Sequence, residues 1–313
     1  MRAAATLGSL AAVLASLASA CGAPPRENAC ADPCACADSG PPDFAREGSG
    51  APSPTSTSTQ KAALVRVNHW RTAIGLSPYD AAAGLEKSAT AHATFVSTTP
   101  ESCWPNFHDE VASCAGFTGA DPGARMDAAG YDSSAGWSED LAFEPVPIDA
   151  VDTWLWTVYH RVPLLSRDFH QLGFGSAGSI EVMDFGVVGS GAGAADPSVF
   201  PPPGATDVPL SFAGNLEGPT PPTPPGGWPS GPVVSVHFPA SGAVVDSFEL
   251  FDGGCHLVPA TRTGEQTDPA LASTGVAAVY ANKPLSPGIR YVASISATVY
   301  GQEWSKSWVF TAR

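Results

Sequence analysis

The sequence predicts an α+β sandwich followed by a small all-β sandwich. Three observations carry this reading. Apolar residues recur at helical spacing in three stretches before residue 193, a Pro-rich stretch then interrupts the chain, and beyond Pro229 short strand-like runs alternate with turn signals. Composition agrees, because only 14% charged residues with 32 Gly and 31 Pro favour loops and strands over long helices.

In order along the chain, residues 1–20 run from Met1-Arg2 into an uncharged Ala/Leu-rich segment that ends in small residues. This reads as a secretory signal peptide, too short and too Ala-rich for a retained membrane span. Leu17-Ala18-Ser19-Ala20-Cys21 resembles a bacterial lipoprotein signal, which would make Cys21 the lipidated first residue of the mature protein. Cleavage after Ala20 into an unanchored product is the alternative. The expected location is therefore secreted or lipid-anchored at the cell envelope, with membrane contact only through such an anchor. Residues 21–60, rich in Pro, Ser, Thr and Gly, lack the apolar content to order themselves and read as a disordered tether.

Residues 61–193 form the first predicted domain. Ala63, Leu64, Val67, Trp70 and Ile74 mark one helix, ended by Gly75; Leu85, Ala89, His92, Ala93 and Val96 mark a second; Ile148, Val151, Trp154, Leu155 and Val158 mark a third. Asp121-Pro122-Gly123 opens a short helix through Ala129, and residues 139–143 and 180–188 read as strands. The second strand is apolar apart from Glu181 and Asp184, so it is expected to be buried. Residues 194–230 contain Pro201-Pro202-Pro203 and Pro219-Thr220-Pro221-Pro222 and read as a semi-rigid linker. Residues 231–313 hold five strand-like runs. In one of them Tyr291, Ala293, Ile295, Ala297 and Val299 alternate with a more polar set, as a sandwich strand with one buried face should.

A formal charge of −15 excludes nucleic acid as a partner and repels anionic membranes. If Cys21 carries lipid, Cys30, Cys34, Cys36, Cys103, Cys114 and Cys255 remain, an even set suited to an oxidising compartment. Cys103 and Cys114 are the expected disulfide, closing a loop of about ten residues for about 2–3 kcal/mol. Which of Cys30, Cys34 and Cys36 meets Cys255 stays open, and their short His-free segment does not read as a zinc site.

Three polar side chains stand out as a candidate site: His108 in Asn-Phe-His-Asp-Glu, Glu139 in Trp-Ser-Glu-Asp-Leu-Ala, and His160 in Thr-Val-Tyr-His-Arg. Two imidazoles and a carboxylate can ligate zinc or another divalent cation, or supply a general base with its orienting partner. They can equally form a hydrogen-bonded cluster that pins loops to the core. His92 lies on the apolar face of its helix and reads as a packed core or cleft-edge histidine. Gly173-Phe174-Gly175-Ser176-Ala177-Gly178 fits G-x-G-x-x-G but runs towards a strand, which excludes a dinucleotide site. No G-x-S-x-G, H-E-x-x-H or P-loop is present.

The segment Asn68, Arg71, Gly75, Leu76 and Pro78 is similar to the Asn-x-x-Arg-x-x-x-Gly-Leu-x-Pro opening of the CAP superfamily (cysteine-rich secretory protein, antigen 5, pathogenesis-related 1; SCP domain). His108 before Gly116-Phe117-Thr118-Gly119, then Arg125 and Ala129-Gly130-Tyr131, resembles bacterial members. Glu139-Asp140-Leu141-Ala142 resembles the Glu-Asn-Ile/Leu-Ala signature, with Asp140 in place of Asn, and His160-Arg161 the His-Arg after a Trp-bearing helix. The resemblance implies an α-β-α sandwich whose cleft is lined by His108, Glu139 and His160, supported by Arg161 and Asp140, and able in some relatives to hold zinc. The second acidic cleft residue of many eukaryotic members has no counterpart in residues 154–159. The expected function is a binding module for a metal ion or a lipid-like ligand at the cell surface, its ligand a lipid or cell-envelope component. A metal-assisted hydrolase of peptide or envelope material and a structural surface protein are the alternatives.

Overall fold

A computed structural model describes residues 32–40, 42, 50–188, 196–239 and 241–313. The expected signal peptide, Cys21 and Cys30 lie outside these residues. Helix α1 (Ser58–Ala73) opens on a capping box in which the Thr57 side chain accepts from the Gln60 amide and the Gln60 side chain from the Thr57 amide. Gly75, at φ 79°, turns the chain out after it. Helix α2 (Ala83–Thr98) buries Leu85, Ala89, His92, Ala93 and Val96, the positions the helical spacing selects. Asp121 caps α3 (Pro122–Ala128) by accepting from the Ala124 amide.

The first sheet runs β1-β3-β4-β2, from β1 (Asp80–Ala81), β2 (Trp137–Phe143), β3 (Gln171–Ala177) and β4 (Ile180–Gly186). Side chains alternate across it. Leu141, Ile180 and Val182 pack against α2 on one face, while Ala142, Phe174, Met183 and Phe185 pack against α1 and α4 (Asp149–Leu155) on the other. This is an α-β-α sandwich. Strand β3 was not predicted, because its two inner glycines weaken strand propensity. Their use is steric: a Cβ on Gly173 or Gly175 would strike the α2 backbone at Leu85–Glu86 or Ala89–Thr90.

The C-terminal part is two sheets face to face, ordered β10-β11-β7-β5 and β6-β13-β12-β8-β9. The first holds β5 (Ser198–Phe200), β7 (Val234–His237), β10 (Ala260–Gly264) and β11 (Val276–Ala281); the second holds β6 (Ala205–Val208), β8 (Val244–Phe251), β9 (Leu257–Val258), β12 (Arg290–Val299) and β13 (Gln302–Ala312). Tyr291, Ala293, Ile295 and Ala297 of β12 all enter the core between the sheets, with Trp308 and Phe310 of β13. Period two in the sequence located that face.

The stretches expected as linkers carry structure. Within 194–230, β5 and β6 pair into the two C-terminal sheets. Phe200 of β5 packs on Trp156 and Trp70 with ring centroids 5.0 and 5.5 Å away, so it belongs to the core of the first domain. Within 21–60, residues 32–40 are held by the Cys34–Cys255 disulfide and by Asp38, whose backbone pairs with Ser307 and Val309 of β13. Ser53 and Ser56 are buried on the Glu86 carboxylate. A covalent link and borrowed strand edges order such polar segments without the apolar content a free-standing element needs. Among the described residues no helix is long and apolar enough to cross a membrane.

Candidate functional site

Strand β2 presents Glu139 towards α2 and α3. His108 Nδ1 lies 2.9 Å from Glu139 Oε1, and Arg125 donates from Nη2 to Glu139 Oε2 at 2.6 Å and from Nη1 to the His108 carbonyl at 2.7 Å. Beneath them His92 places Nδ1 2.9 Å from Glu110 Oε1 and Nε2 2.8 Å from the Phe107 carbonyl. Glu110 Oε2 accepts from the Thr118 amide at 2.7 Å. The loop carrying His108 and Glu110 is closed by the Cys103–Cys114 disulfide. His92, read from sequence as a packed histidine, is thus fully buried and hydrogen-bonded through both ring nitrogens beside the site.

The electrostatics follow from burial. For Glu139 desolvation is the largest single influence and pushes its pKa up, but the His108 hydrogen bond and the Arg125 and His92 charges outweigh it and hold the carboxyl at about 2. Glu110 is drawn below the ordinary carboxylate range in the same way: burial opposes, and His92, the Thr118 amide and Arg125 prevail. Asp184 is the register partner of Glu139 on β4, directly opposite on the same face. Burial, then the Glu139 charge, pushes Asp184 well above its ordinary value. Two buried carboxyls shifted in opposite directions therefore lie side by side.

Asp140 points through the other face of the sheet. Burial, then Glu217 and Glu139, raises its pKa well above the ordinary range. On that side His160 pairs its Nδ1 with Glu217 Oε1 at 3.2 Å. Arg161 is fully buried; it donates from Nε to the Leu155 carbonyl, from Nη1 to Ser235 Oγ at 3.0 Å, and lies 4.6 Å from the Phe200 ring centroid. Desolvation lowers the Arg161 pKa to about 9, against the opposing pull of Glu217. Arg161 therefore clamps the C-terminal sheet to the first domain.

The structure brings His108 and Glu139 into contact and turns His160 to a different carboxylate. Among the described residues one set of three His, Cys, Asp or Glu side chains has ligand atoms within 4.8 Å of one another: Asp32, Cys34 and Cys255, whose two sulfurs are bonded to each other. His108, Glu139 and His160 as placed do not fit a shared zinc ion. The donor chemistry agrees, since both Glu139 oxygens are engaged and one faces a guanidinium. Four participants were not singled out from the sequence as site residues. Arg125 stood in a motif, Asp184 interrupted an apolar strand, and Glu217 is the only Asp, Glu, Lys or Arg between Asp207 and Asp246. Glu110 carried no signal beyond its place two residues after His108.

Beside the polar cluster lies an aromatic surface. Trp104, Phe107 and Phe143 form a triad with ring centroids 5.7, 5.9 and 6.3 Å apart. Phe107 and Phe143 are 44% and 52% exposed, against the tendency of large apolar rings to be covered. Phe107 also takes φ 69°, a left-handed conformation costly for a residue with a bulky side chain. Glu139, Leu141 and Phe143 occupy one face of β2, so a single strand supplies both the carboxylate under His108 and the ring beneath Phe107.

Residues 64–187 match the family model for CAP, the cysteine-rich secretory protein family. No curated protein matches the chain.

Proposed function

Residues 64–187 being a CAP domain of the cysteine-rich secretory protein family, we propose that this chain is an exported binding module that takes an apolar, lipid-like ligand without transforming it. The exposed rings of Phe107 and Phe143, backed by half-buried Trp104 and next to His108 and Glu139, carry this reading. Two exposed aromatic rings, one of them held at the cost of backbone strain, mark a recognition surface. The net charge of −15 selects against anionic headgroups, so the ligand is neutral or cationic. Glu139 supports the loop and does not act as a base, since His108 and Arg125 occupy its oxygens. The Cys34–Cys255 and Cys103–Cys114 disulfides are in keeping with an oxidising compartment outside the cytoplasm.

The test is a titration of the full chain with a neutral fluorescent lipid analogue, together with mass spectrometry of solvent extracts of the purified protein. Saturable binding that weakens at least tenfold in Phe107→Ser/Phe143→Ser, with the circular dichroism spectrum retained, supports the reading. Equal affinity of the wild type and the double variant would overturn it.

A further inference from the structure

We propose that Glu217, supplied by the C-terminal half of the chain, is a positioning residue for His160 that fixes the proton on Nδ1 and leaves Nε2 as the accepting nitrogen. This goes beyond the reading above: it makes a histidine of the CAP domain, on the other side of the sheet from His108 and Glu139, dependent on the domain that follows. Glu217 sits in residues 213–229, a loop closed at its base by the Phe212 and Ser230 backbones, each of which donates to the other's carbonyl at 3.0 Å. Compact surface loops of this size with closed ends are recurrent carriers of function.

Its neighbour Leu216 is 83% exposed, yet Glu217 is buried. The carboxylate reaches across to the turn before α5 (Arg161–Leu164). There Oε2 accepts from the Val158 amide at 2.9 Å, and Oε1 accepts from the Tyr159 amide at 2.6 Å and the His160 amide at 3.3 Å. Three consecutive backbone amides of this turn are held by one side chain. A second grip is independent of it: Tyr159 Oη donates to Asp268 Oδ2 at 2.7 Å, and Asp268 also accepts from Thr263. Both contacts come from beyond residue 187, so residues 64–187 alone lack what holds His160.

The tautomer follows from donor and acceptor counting. An ionised carboxylate only accepts, so the ring nitrogen 3.2 Å from Oε1 is the one that carries hydrogen. Nε2 has no partner among the described residues, which leaves its lone pair for a ligand that presents a hydroxyl or N–H donor.

The experiment is long-range ¹H–¹⁵N correlation of the histidine rings in the full-length chain at a pH of about 8, above the ordinary histidine range. The wild type should show His160 with hydrogen on Nδ1 and a bare Nε2. Glu217→Ala should move the Nδ1 resonance towards that of a bare nitrogen as the ring reverts to the other tautomer. Glu217→Gln should retain the wild-type pattern. Its carboxamide oxygen belongs at the Oε1 position, where three donors converge, because that orientation sets its NH₂ against the Val158 amide alone and the opposite one against all three. A purely structural role would make Ala and Gln alike. The proposal is overturned if wild-type His160 carries its hydrogen on Nε2, or if folded Glu217→Ala keeps the wild-type ring signals. These readouts need no ligand, so failure of the lipid titration and failure of this assignment are distinguishable.

Discussion

Arg125 and Glu139 meet at 2.6 Å with 0% and 1% of their side chains exposed, and the same guanidinium holds the carbonyl of His108. One cation therefore sets both halves of the His108–Glu139 contact. Replacing Arg125 by Leu leaves Glu139 as a buried charge whose remaining close partners are the His108 and His92 rings. Removing one member of a buried pair costs about 3–5 kcal/mol, far more than the net worth of the pair itself. Arg125→Leu is expected to lose that much in urea unfolding, and the double variant with Glu139→Leu is expected to recover a large part of it. A double variant as unstable as the single one would show that Arg125 acts through packing instead.

The carboxyl pair across β2 and β4 gives a pH dependence with a definite sign. Asp184 is raised, so the folded protein holds a proton that the unfolded chain releases above the ordinary Asp value of about 3.8. That contribution is fully present below this value and is lost as pH rises through the folded pKa. Glu139 does the reverse: its contribution is present above about 4.5 and is lost as pH falls towards about 2. Asp184→Asn keeps the shape without the titration. It is expected to be more stable than the wild type at pH 7, with the difference shrinking towards pH 3. Denaturant midpoints measured across that range check the sign.

Helices α1, α2 and α4 and the core face of β12 were legible in the sequence because each has a regular apolar period, α3 through its Asp-Pro-Gly opening, the buried β4 strand because it is a nearly continuous apolar run, and Cys103–Cys114 because the loop is short. His108 and Glu139 were legible because each sits in a recognisable motif. The partner of His160 was not, since Glu217 is 57 residues away in a stretch whose proline content reads as a spacer. Local pattern describes what an element buries; it carries no record of which remote acid satisfies a turn's amides. The same limit hid β5 and β6, whose short runs gain order only from the sheets they join.

Cys103–Cys114 should matter beyond its loop entropy. The loop it closes delivers both His108 and Glu110, and Glu110 in turn fixes His92 and the Thr118 amide. Cys103→Ser/Cys114→Ser is expected to cost about 2–3 kcal/mol. Hydrogen exchange should quicken at Thr118 and Val111 while β4 stays protected. Uniform acceleration over the whole domain would mean that the disulfide supports the fold and has no particular role at the site.

Phe107 separates stability from recognition. At φ 69° its backbone holds a conformation that glycine adopts freely, and its ring is exposed. Phe107→Gly removes the strain, worth on the order of 1 kcal/mol, but also frees the unfolded backbone and uncovers Trp104 and Phe143, so the net stability change should be small. The ligand surface, in contrast, loses its central ring. Melting temperature is therefore expected to stay within about 4 °C of the wild type, while affinity for the neutral lipid analogue falls at least tenfold. A large drop in melting temperature with affinity intact would show that the ring packs the loop and that the strain serves the fold.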